Sequence, residues 1–322
     1  MSIMYKLAET LQSAQTEGAN DYYLSGGTDI IPLIKNGLKR APYNLIDVTH
    51  IHELRDIQEQ ENGIWIGAAT TISELARNDT LQRRFPALVQ GASQTASPQI
   101  RNVATLGGNI MQDRRCIYFN QSQSWRSSFP LCYKTGGSQC FQRKNSPVCR
   151  AIYYSDLATA LSIYDASVEF MEDNVRKSLP LAGLLELHSR RNGMTDNEKP
   201  ILLTRVYLPF PPQNERSAFF KYSLRKSIDF PLINFALRYS EGGRPSALSA
   251  GCIREVPVSL NKISSLIDEG VINRSVLLEE TLKELKKYSQ PILESVTPPM
   301  IKSMSFNLVD RLFDAVLTNQ ML

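Results

Sequence analysis

The feature that most constrains this chain is a polar segment that carries four of its five cysteines. Cys116, Cys132, Cys140 and Cys149 lie among Gly, Ser, Gln, Lys and Arg residues, with 15, 7 and 8 residues between successive cysteines. A segment of this composition offers few apolar side chains to a core. We therefore expect a loop here, with the core built from the chain on either side of it.

Four explanations compete for these cysteines. Disulfides are rare in the cytoplasm, where thiols stay reduced. Zinc sites usually contain closely spaced cysteine pairs, and the gaps here are wider. Structural cysteines normally lie in apolar runs, whereas four thiolates can bind an iron–sulfur cluster. The residues favour the cluster and leave zinc and structural cysteines open. Cys252, in the apolar run "LSAGCIREV", is predicted to belong to the core.

Two short glycine motifs point to a binding function. "SGGTD" occupies residues 25–29, between a predicted strand and a predicted helix, and "TLGGN" occupies residues 105–109. Glycine lets the backbone approach a ligand closely, and N–H groups at a helix start can face an anion. Two such loops could hold one diphosphate from two sides. Neither is a standard nucleotide fingerprint, so two unrelated tight turns are the alternative.

The remaining patterns predict an α/β first part and an α+β second part. The spacing of Leu7, Ala8, Leu11 and Ala14 predicts a short N-terminal helix. Strands are predicted in "YNLIDVTHI" and "GIWIG", and a helix followed by a strand in "SDLATALSIYDASVEFMED". After a polar stretch near 190–200, antiparallel strands are predicted with a hairpin turn at 241–243, and then helices.

Composition excludes several classes of function. The net charge is +4 and the basic residues are scattered, which argues against nucleic-acid binding. No apolar run reaches the ~20 residues that a membrane span needs. The N-terminus lacks the apolar core of a signal peptide. We therefore expect a cytoplasmic protein with no membrane span.

Four motifs in order support a family resemblance: "LSGGTDIIPLIKNG", "IGAATTISEL", "ASPQIRNVATLGGNI" and "SDLATAL". They resemble the FAD-binding medium subunit of the molybdenum hydroxylase family, which includes xanthine dehydrogenase and carbon monoxide dehydrogenase. The resemblance covers nearly the whole chain. The cysteine segment, with "RCIYFNQS" and "CYKTGGSQC" inserted between "GGN" and "SDL", resembles the β subunit of 4-hydroxybenzoyl-CoA reductase.

This resemblance implies an α+β fold class with two domains. Residues 1–190 would form a two-lobed FAD-binding domain of the PCMH type, split near residue 50, with residues 113–152 as an inserted [4Fe–4S] loop. Residues 191–322 would form a C-terminal α+β domain with an antiparallel sheet and helices. The chain starts almost at its first predicted helix. The opening strand of the family is therefore expected to be shortened or absent.

The resemblance also implies the site residues. The first glycine loop would wrap the FAD diphosphate and the second would close it from the other side. The motifs "SD" and "FFKYSLRKS" would contribute residues near the flavin, with Asp229 as a weaker match. The residues expected at FAD are Leu24, Ser25, Gly26, Gly27, Thr28, Asp29, Ile30, Thr105, Gly108, Asn109, Ser155, Asp156 and Lys221. The residues expected to bind [4Fe–4S] are Cys116, Cys132, Cys140 and Cys149.

No catalytic residue is expected in this chain. His50 and His52 follow a predicted strand and are expected at the surface or as capping residues. His188 lies on a predicted helix face and is expected to be structural.

The implied function is electron transfer within a larger enzyme. A carrier such as ferredoxin would reduce [4Fe–4S] and FAD, and electrons would pass to [2Fe–2S] clusters on a small subunit and to a molybdopterin-binding large subunit. The assembly would be a dimer of heterotrimers. One alternative is a hydroxylase subunit that works oxidatively and passes electrons to NAD or another acceptor. Another is a zinc-stabilised interaction protein whose glycine loops are only turns.

Overall fold

The computed structural model describes residues 3–39, 43–192, 199–225, 228–271, 273–288 and 298–318. Within these ranges the chain forms three sheets. The strands are β1 Ile3–Leu7, β2 Asp21–Leu24, β3 Tyr43–Asp47, β4 Ile57–Gln60, β5 Gly63–Gly67, β6 Ser167–Glu172, β7 Val175–Pro180, β8 Leu202–Pro209, β9 Glu215–Tyr222, β10 Ile233–Ser240, β11 Ala247–Gly251 and β12 Val258–Ser259.

The helices are mostly short in the first two thirds of the chain and longer near its end. They are α1 Ile30–Lys35, α2 Ile72–Arg77, α3 Asp79–Arg84, α4 Pro86–Gln94, α5 Pro98–Arg101, α6 Leu106–Ile110, α7 Gln123–Arg126, α8 Asp156–Leu161, α9 Leu181–Asn192, α10 Asn261–Asp268, α11 Arg274–Tyr288 and α12 Pro298–Leu317. Within the described ranges, no helix combines the length and the apolar character that crossing a membrane requires.

The chain divides into two compact units that alternate along the sequence. Unit 1 contains residues 1–72, 99–151 and 166–208, and unit 2 contains residues 73–98, 152–165 and 209–322. Most of the polar stretch at which the sequence predicts a domain boundary, residues 193–198, lies outside the described residues. That boundary stays a prediction.

A three-stranded parallel sheet in the order β1-β3-β2 opens unit 1. The predicted N-terminal helix is therefore wrong, as is the expectation of a shortened or absent opening strand, because Ile3–Leu7 pairs along β3. Ala8, Leu11 and Ala14 are buried as the pattern suggested, but they pack against Ile46 from a turn-rich segment. Pairing with β3 provides hydrogen-bond partners for the backbone of residues 3–7. This tertiary pairing outweighs the local preference for a helix that the apolar spacing suggests.

A five-stranded sheet in the order β4-β5-β8-β6-β7 is the second sheet of unit 1. Its β4–β5, β6–β7 and β6–β8 pairs are antiparallel. The burial of β8 alternates along most of its length, as expected for a strand with one covered face. The segment between α6 and α8, which includes the cysteine loop, contains only α7 and one 3₁₀ turn, Tyr133–Thr135.

Unit 2 is built on a four-stranded antiparallel sheet in the order β12-β11-β10-β9. Helix α12 packs against β9 and β10, and α4 packs against β9. Buried residues of β10, α11 and α12, among them Phe235, Leu277 and Phe313, form its core. The hairpin between β10 and β11 turns at Gly242, whose φ is +64°. The α+β class with an antiparallel sheet and helices in the C-terminal part is confirmed.

Candidate functional site

A cavity of about 950 Å³ in unit 1 collects most of the predicted FAD residues. Cavities of this size are typical of sites for small molecules and cofactors. Both glycine loops line it, through residues 25–30 of the first loop and Thr105, Gly107 and Gly108 of the second. Leu24 and Asn109 are not among the lining residues.

The first glycine loop provides a narrow backbone wall with free donors. A Cβ on Gly26 would overlap the carbonyl oxygen of Val103, so no other residue fits there without a shift. Gly27 has a φ of +71°, a conformation that glycine adopts without strain. Within the part of the chain that the structure describes, the N–H groups of Gly26, Gly27 and Thr28 donate to no acceptor. Unpaired N–H groups beside a cavity fit a phosphate ligand.

The second glycine loop is bonded internally. The side chain of Thr105 caps α6 by accepting a hydrogen bond from Gly108 N–H at 3.1 Å, and it donates to Ser25 Oγ, also at 3.1 Å. The N–H groups of Gly107 and Asn109 donate to backbone carbonyls at 2.7 and 2.9 Å. The backbone N–H groups of residues 106–109 are thus already in use. The loop supports the first one, and a direct role at the diphosphate stays a prediction.

Asp29 ties the first glycine loop to the start of the cysteine segment. Its carboxylate accepts a hydrogen bond from Asp113 N–H at 2.9 Å and forms an ion pair with Arg115. Asp29 also lines the cavity. Because its side chain serves the protein in this way, the structure gives it a positioning role; contact with FAD stays a prediction.

A buried charge cluster lies directly after that junction. Asp113 forms ion pairs with Lys134 and with Lys39, the latter at 3.2 Å. Burial alone would raise the pKa of Asp113, but the two lysines outweigh it and hold that pKa below its ordinary value. Lys134 also donates to the carbonyl oxygen of Arg114 at 2.8 Å and lies 4.5 Å from the ring centre of Phe119.

The four cysteines of the loop converge on one small second cavity in unit 1. Cys116 Sγ accepts a hydrogen bond from Phe119 N–H at 3.2 Å, and Cys149 Sγ accepts one from Ala151 N–H at 3.4 Å. Burial raises the pKa of Cys116 to about 11 and raises that of Cys149. Such thiols become thiolate ligands only when a strong positive charge replaces the proton.

The donor set of this second cavity suits an iron–sulfur cluster, because backbone N–H···S hydrogen bonds and four converging sulfurs are what a [4Fe–4S] cluster uses. Their arrangement is not that of a formed metal centre. Among the described residues, no three His, Cys, Asp or Glu side chains are placed so as to hold a metal ion. The four cysteines therefore line one cavity, and the presence of a [4Fe–4S] cluster there stays a proposal.

The two cavities share one wall. The residues that line both are Tyr118, Phe119, Cys132, Lys134 and Phe141. The cysteine segment is therefore part of the larger cavity as well as of the smaller one.

The structure places the three histidines differently. His50 and His52 are exposed, in line with the prediction. His188, predicted to be structural, lines the large cavity, and its Nε2 donates to the carbonyl oxygen of Gln112 at 3.0 Å. Burial lowers the pKa of His188, which favours the neutral form of the ring. The sequence pattern places His188 on one face of a helix, but it cannot tell whether that face lines a cavity or packs in the core.

The remaining predicted FAD residues lie in unit 2. Ser155 caps α8 by accepting a hydrogen bond from Ala158 N–H at 2.9 Å. Asp156 accepts hydrogen bonds from Lys221 Nζ at 3.0 Å and from Asn234 Nδ2 at 2.7 Å. Burial raises the pKa of Asp156, and Lys221 opposes that rise. Asp156, Lys221 and Asn234 therefore form one polar group inside unit 2. The role of Ser155, Asp156 and Lys221 at the flavin stays a prediction.

Two other residues singled out in the sequence also lie in unit 2. Asp229 accepts hydrogen bonds from Arg225 in an exposed loop. Cys252 is 2% exposed, which confirms that it belongs to the core.

Comparisons with known proteins agree with this geometry. The family described as "FAD binding domain in molybdopterin dehydrogenase" matches residues 3–211. The chain is 27% identical over 279 residues to the xanthine dehydrogenase FAD-binding subunit of Escherichia coli O157:H7, covering 85% of this chain and 78% of that protein. It is 28% identical over 276 residues to the aldehyde oxidoreductase FAD-binding subunit PaoB of Escherichia coli K12, covering 82% and 84%.

Solved structures confirm the fold. A chain of the reconstituted CO dehydrogenase from Oligotropha carboxidovorans superposes with a TM-score of 0.75 at 18% identity, over 99% of both chains. A chain of quinoline 2-oxidoreductase from Pseudomonas putida 86 superposes with a TM-score of 0.72 at 16% identity, over 98% of this chain and 97% of that one. The family match covers well over half of the sequence, and this chain belongs to the FAD-binding medium subunits of the molybdenum hydroxylase family.

Proposed function

We propose that this chain is the flavin and iron–sulfur electron-transfer subunit of a cytoplasmic molybdenum enzyme, most like 4-hydroxybenzoyl-CoA reductase. The observation that carries the proposal is the shared wall between a cofactor-sized cavity and a cavity lined by four cysteines. When bound, FAD exchanges electrons singly or in pairs and [4Fe–4S] exchanges them singly. Two such groups on either side of one wall suit a relay.

The contributions of the chain are binding and orientation. The first glycine loop offers unpaired N–H groups to the FAD diphosphate, and the Ser25–Thr105 bond holds that loop against the second one. Cys116, Cys132, Cys140 and Cys149 supply the four thiolates. The Lys134 cation, held by Asp113, lies between the two sites and favours negative charge on either side.

The charge of the cysteine segment supports an acidic external carrier. From residue 114 to residue 150 the sequence has seven basic residues and no acidic residue. Arg143 and Lys144 are exposed. A basic surface steers an acidic protein such as a ferredoxin into contact and speeds the encounter.

Partner subunits follow from the same assignment. The chain has five cysteines, and the fifth is Cys252 in the core of unit 2. No cysteines are left in the sequence for [2Fe–2S] clusters. A small subunit would therefore hold those clusters and would pass electrons to a molybdopterin-binding large subunit. The resemblance implies that the assembly is a dimer of heterotrimers. A related protein from Hydrogenophaga pseudoflava is named as the medium chain of carbon monoxide dehydrogenase.

An oxidative role is the second candidate, favoured by the names of the relatives. Several of them are subunits of dehydrogenases or oxidoreductases for xanthine, aldehydes and nicotinate. In that role the electrons leave the molybdenum site and pass through FAD to NAD or another acceptor. An NADH–dye reductase assay on the isolated flavoprotein distinguishes the two, because only a hydride-accepting site supports rapid NADH oxidation.

The test of the main proposal is the cofactor content of protein purified without oxygen. We expect one FAD and about four irons per chain, with the EPR signal of a reduced cubane cluster after dithionite. Cys140→Ala should lose the iron and keep FAD, because Cys140 lines only the small cavity. Cys252→Ala is the matched control and should keep both. Zinc in place of iron, or iron that survives Cys140→Ala, would contradict the cluster.

A further inference from the structure

Four aromatic rings of the cysteine segment form one cluster on the wall of the large cavity. The ring centres of Trp125 and Phe129 are 4.5 Å apart, those of Tyr118 and Phe141 are 5.6 Å apart, and Tyr118 lies 6.0 Å from Trp125. All four residues line the cavity. These distances are those of packed aromatic pairs.

The cluster has aromatic surface left for a ligand. Trp125 is 37% exposed and Phe129 is 38% exposed, although each packs against neighbouring rings. Exposed apolar groups scattered singly need no explanation. Several aromatic rings together on a cavity wall are the usual signature of a binding surface for a flat, apolar group.

The position of the cluster relative to the first glycine loop is set by α1. That helix starts directly after the loop and is six residues long, about 9 Å by helical rise. At its far end the Arg126 guanidinium donates to the carbonyl oxygens of Asn36 and Gly37, both at 3.3 Å. Arg126 belongs to α7, which also carries Trp125. The aromatic cluster is thus docked one helix length from the glycine loop.

This spacing matches the shape of a dinucleotide. FAD carries a flat ring system on each side of its diphosphate, separated from it by a ribose or a ribityl chain. A diphosphate at the first glycine loop would therefore leave the far end of α1 within reach of one ring system.

We propose that the cluster of Tyr118, Trp125, Phe129 and Phe141 binds one of the two ring systems of FAD, so that the cysteine segment is itself part of the FAD site. The proposal rests on the FAD binding proposed above. It gives the segment a second role, independent of whether its thiols hold a metal.

The test is FAD affinity of the full-length protein after removal of bound flavin. Trp125→Ala and Phe129→Ala should each weaken FAD binding roughly tenfold or more, since stacking of a base on an aromatic side chain contributes that much. Trp125→Phe keeps a ring and should retain most of the affinity. Val148→Ala is the matched control, because Val148 is an exposed apolar residue of the same segment that lines neither cavity.

Binding of ADP and FMN identifies the ring. If the cluster binds adenine, Trp125→Ala weakens ADP and leaves FMN unchanged; if it binds the flavin ring, the effects are reversed. Wild-type affinity for FAD in both alanine variants would overturn the proposal. Failure of the wild-type protein to bind FAD would contradict the proposed function instead.

A second measurement avoids any dependence on the folding of the alanine variants. The chain has two tryptophans, and Trp65 packs on Tyr207 away from the cavity, at 5.0 Å between ring centres. In Trp65→Phe protein the remaining emission comes from Trp125, and FAD should quench it more strongly than it quenches Trp65 in Trp125→Phe protein. Equal or weaker quenching of Trp125 would contradict ring contact.

Discussion

Thr105 Oγ1 donates a hydrogen bond to Ser25 Oγ across 3.1 Å, and this bond joins two glycine loops that are 80 residues apart in the sequence. The same oxygen accepts from Gly108 N–H. One buried hydroxyl thus caps a helix and fixes the distance between the two loops that line the cavity.

Replacing Thr105 by valine should lower the free energy of unfolding by about 1–2 kcal/mol, because Gly108 N–H loses its acceptor and Ser25 its donor. The affinity of this variant for FAD should fall as well. Thr105→Ser keeps the hydroxyl and should therefore keep most of the stability and most of the FAD affinity. Urea denaturation of T105V, S25A and the double variant measures the coupling between the two residues. A double variant whose loss equals the sum of the single losses would show that the bond contributes nothing.

Replacing Gly26 by alanine should abolish FAD binding, because the added methyl group would occupy the space of the Val103 carbonyl oxygen and push the two segments apart. Flavin content and the unfolding temperature measure the effect. Gly18→Ala is the control, since nothing lies within 4 Å of the position its Cβ would take. If G26A keeps normal flavin content, the close approach at this glycine is not needed for binding.

The Asp113 ion pairs should make stability depend on acid pH. Lys134 and Lys39 hold the pKa of Asp113 below its ordinary value, so the stabilisation is present above the unfolded pKa of about 4 and is lost as pH falls below it. Asp113→Asn should be less stable at pH 7 and should lose less between pH 5 and pH 3 than the wild type. Urea midpoints across that range test this.

Glu61 provides the control for the acid series. It is exposed in the turn between β4 and β5, so Glu61→Gln removes a carboxylate without breaking a buried ion pair. That variant should follow the wild-type curve. Parallel curves for the wild type and D113N would exclude Asp113 as the source of the acid sensitivity.

In unit 2, Lys221→Met should cost about 3 kcal/mol of stability, because it leaves the buried carboxylate of Asp156 without its cation. The double variant K221M/D156N should recover part of the loss. The matched control is Lys262→Met, which breaks the more exposed pair with Glu280 and should cost much less stability than K221M. Similar losses in K221M and K262M would show that burial does not set the strength of the Asp156 pair.

The two glycine loops and the gathering of the cysteines could be predicted because each is a local pattern. The motif "SGGTD" falls between a strand and a helix, as expected, and all four loop cysteines reach one cavity. The C-terminal helices and the hairpin turn at Gly242 also follow from local sequence patterns, and the structure confirms them.

Other parts of the site depend on contacts that no local pattern shows. Lys39, Asp113 and Lys134 are far apart in the sequence, and a buried lysine is expected only once its carboxylate partner is known. The spacing of apolar residues from Leu7 to Ala14 predicts an N-terminal helix, and this pattern cannot reveal that Ile3–Leu7 pairs with β3. The aromatic cluster was missed because its rings follow no regular spacing.

The alternation of the two units along the chain has a consequence for biosynthesis. Strand β5 ends at Gly67, but its neighbour β8 begins only at Leu202. At a synthesis rate of ~5–20 residues per second, that partner follows roughly 7–27 s later. During that interval the edge of β5 has no β8 to pair with and is exposed to wrong pairing on the ribosome. Unit 1 can complete its fold only after the first segments of unit 2 have been synthesised. Because each unit is made of three separate sequence segments, neither unit can be expressed alone from one continuous part of the gene.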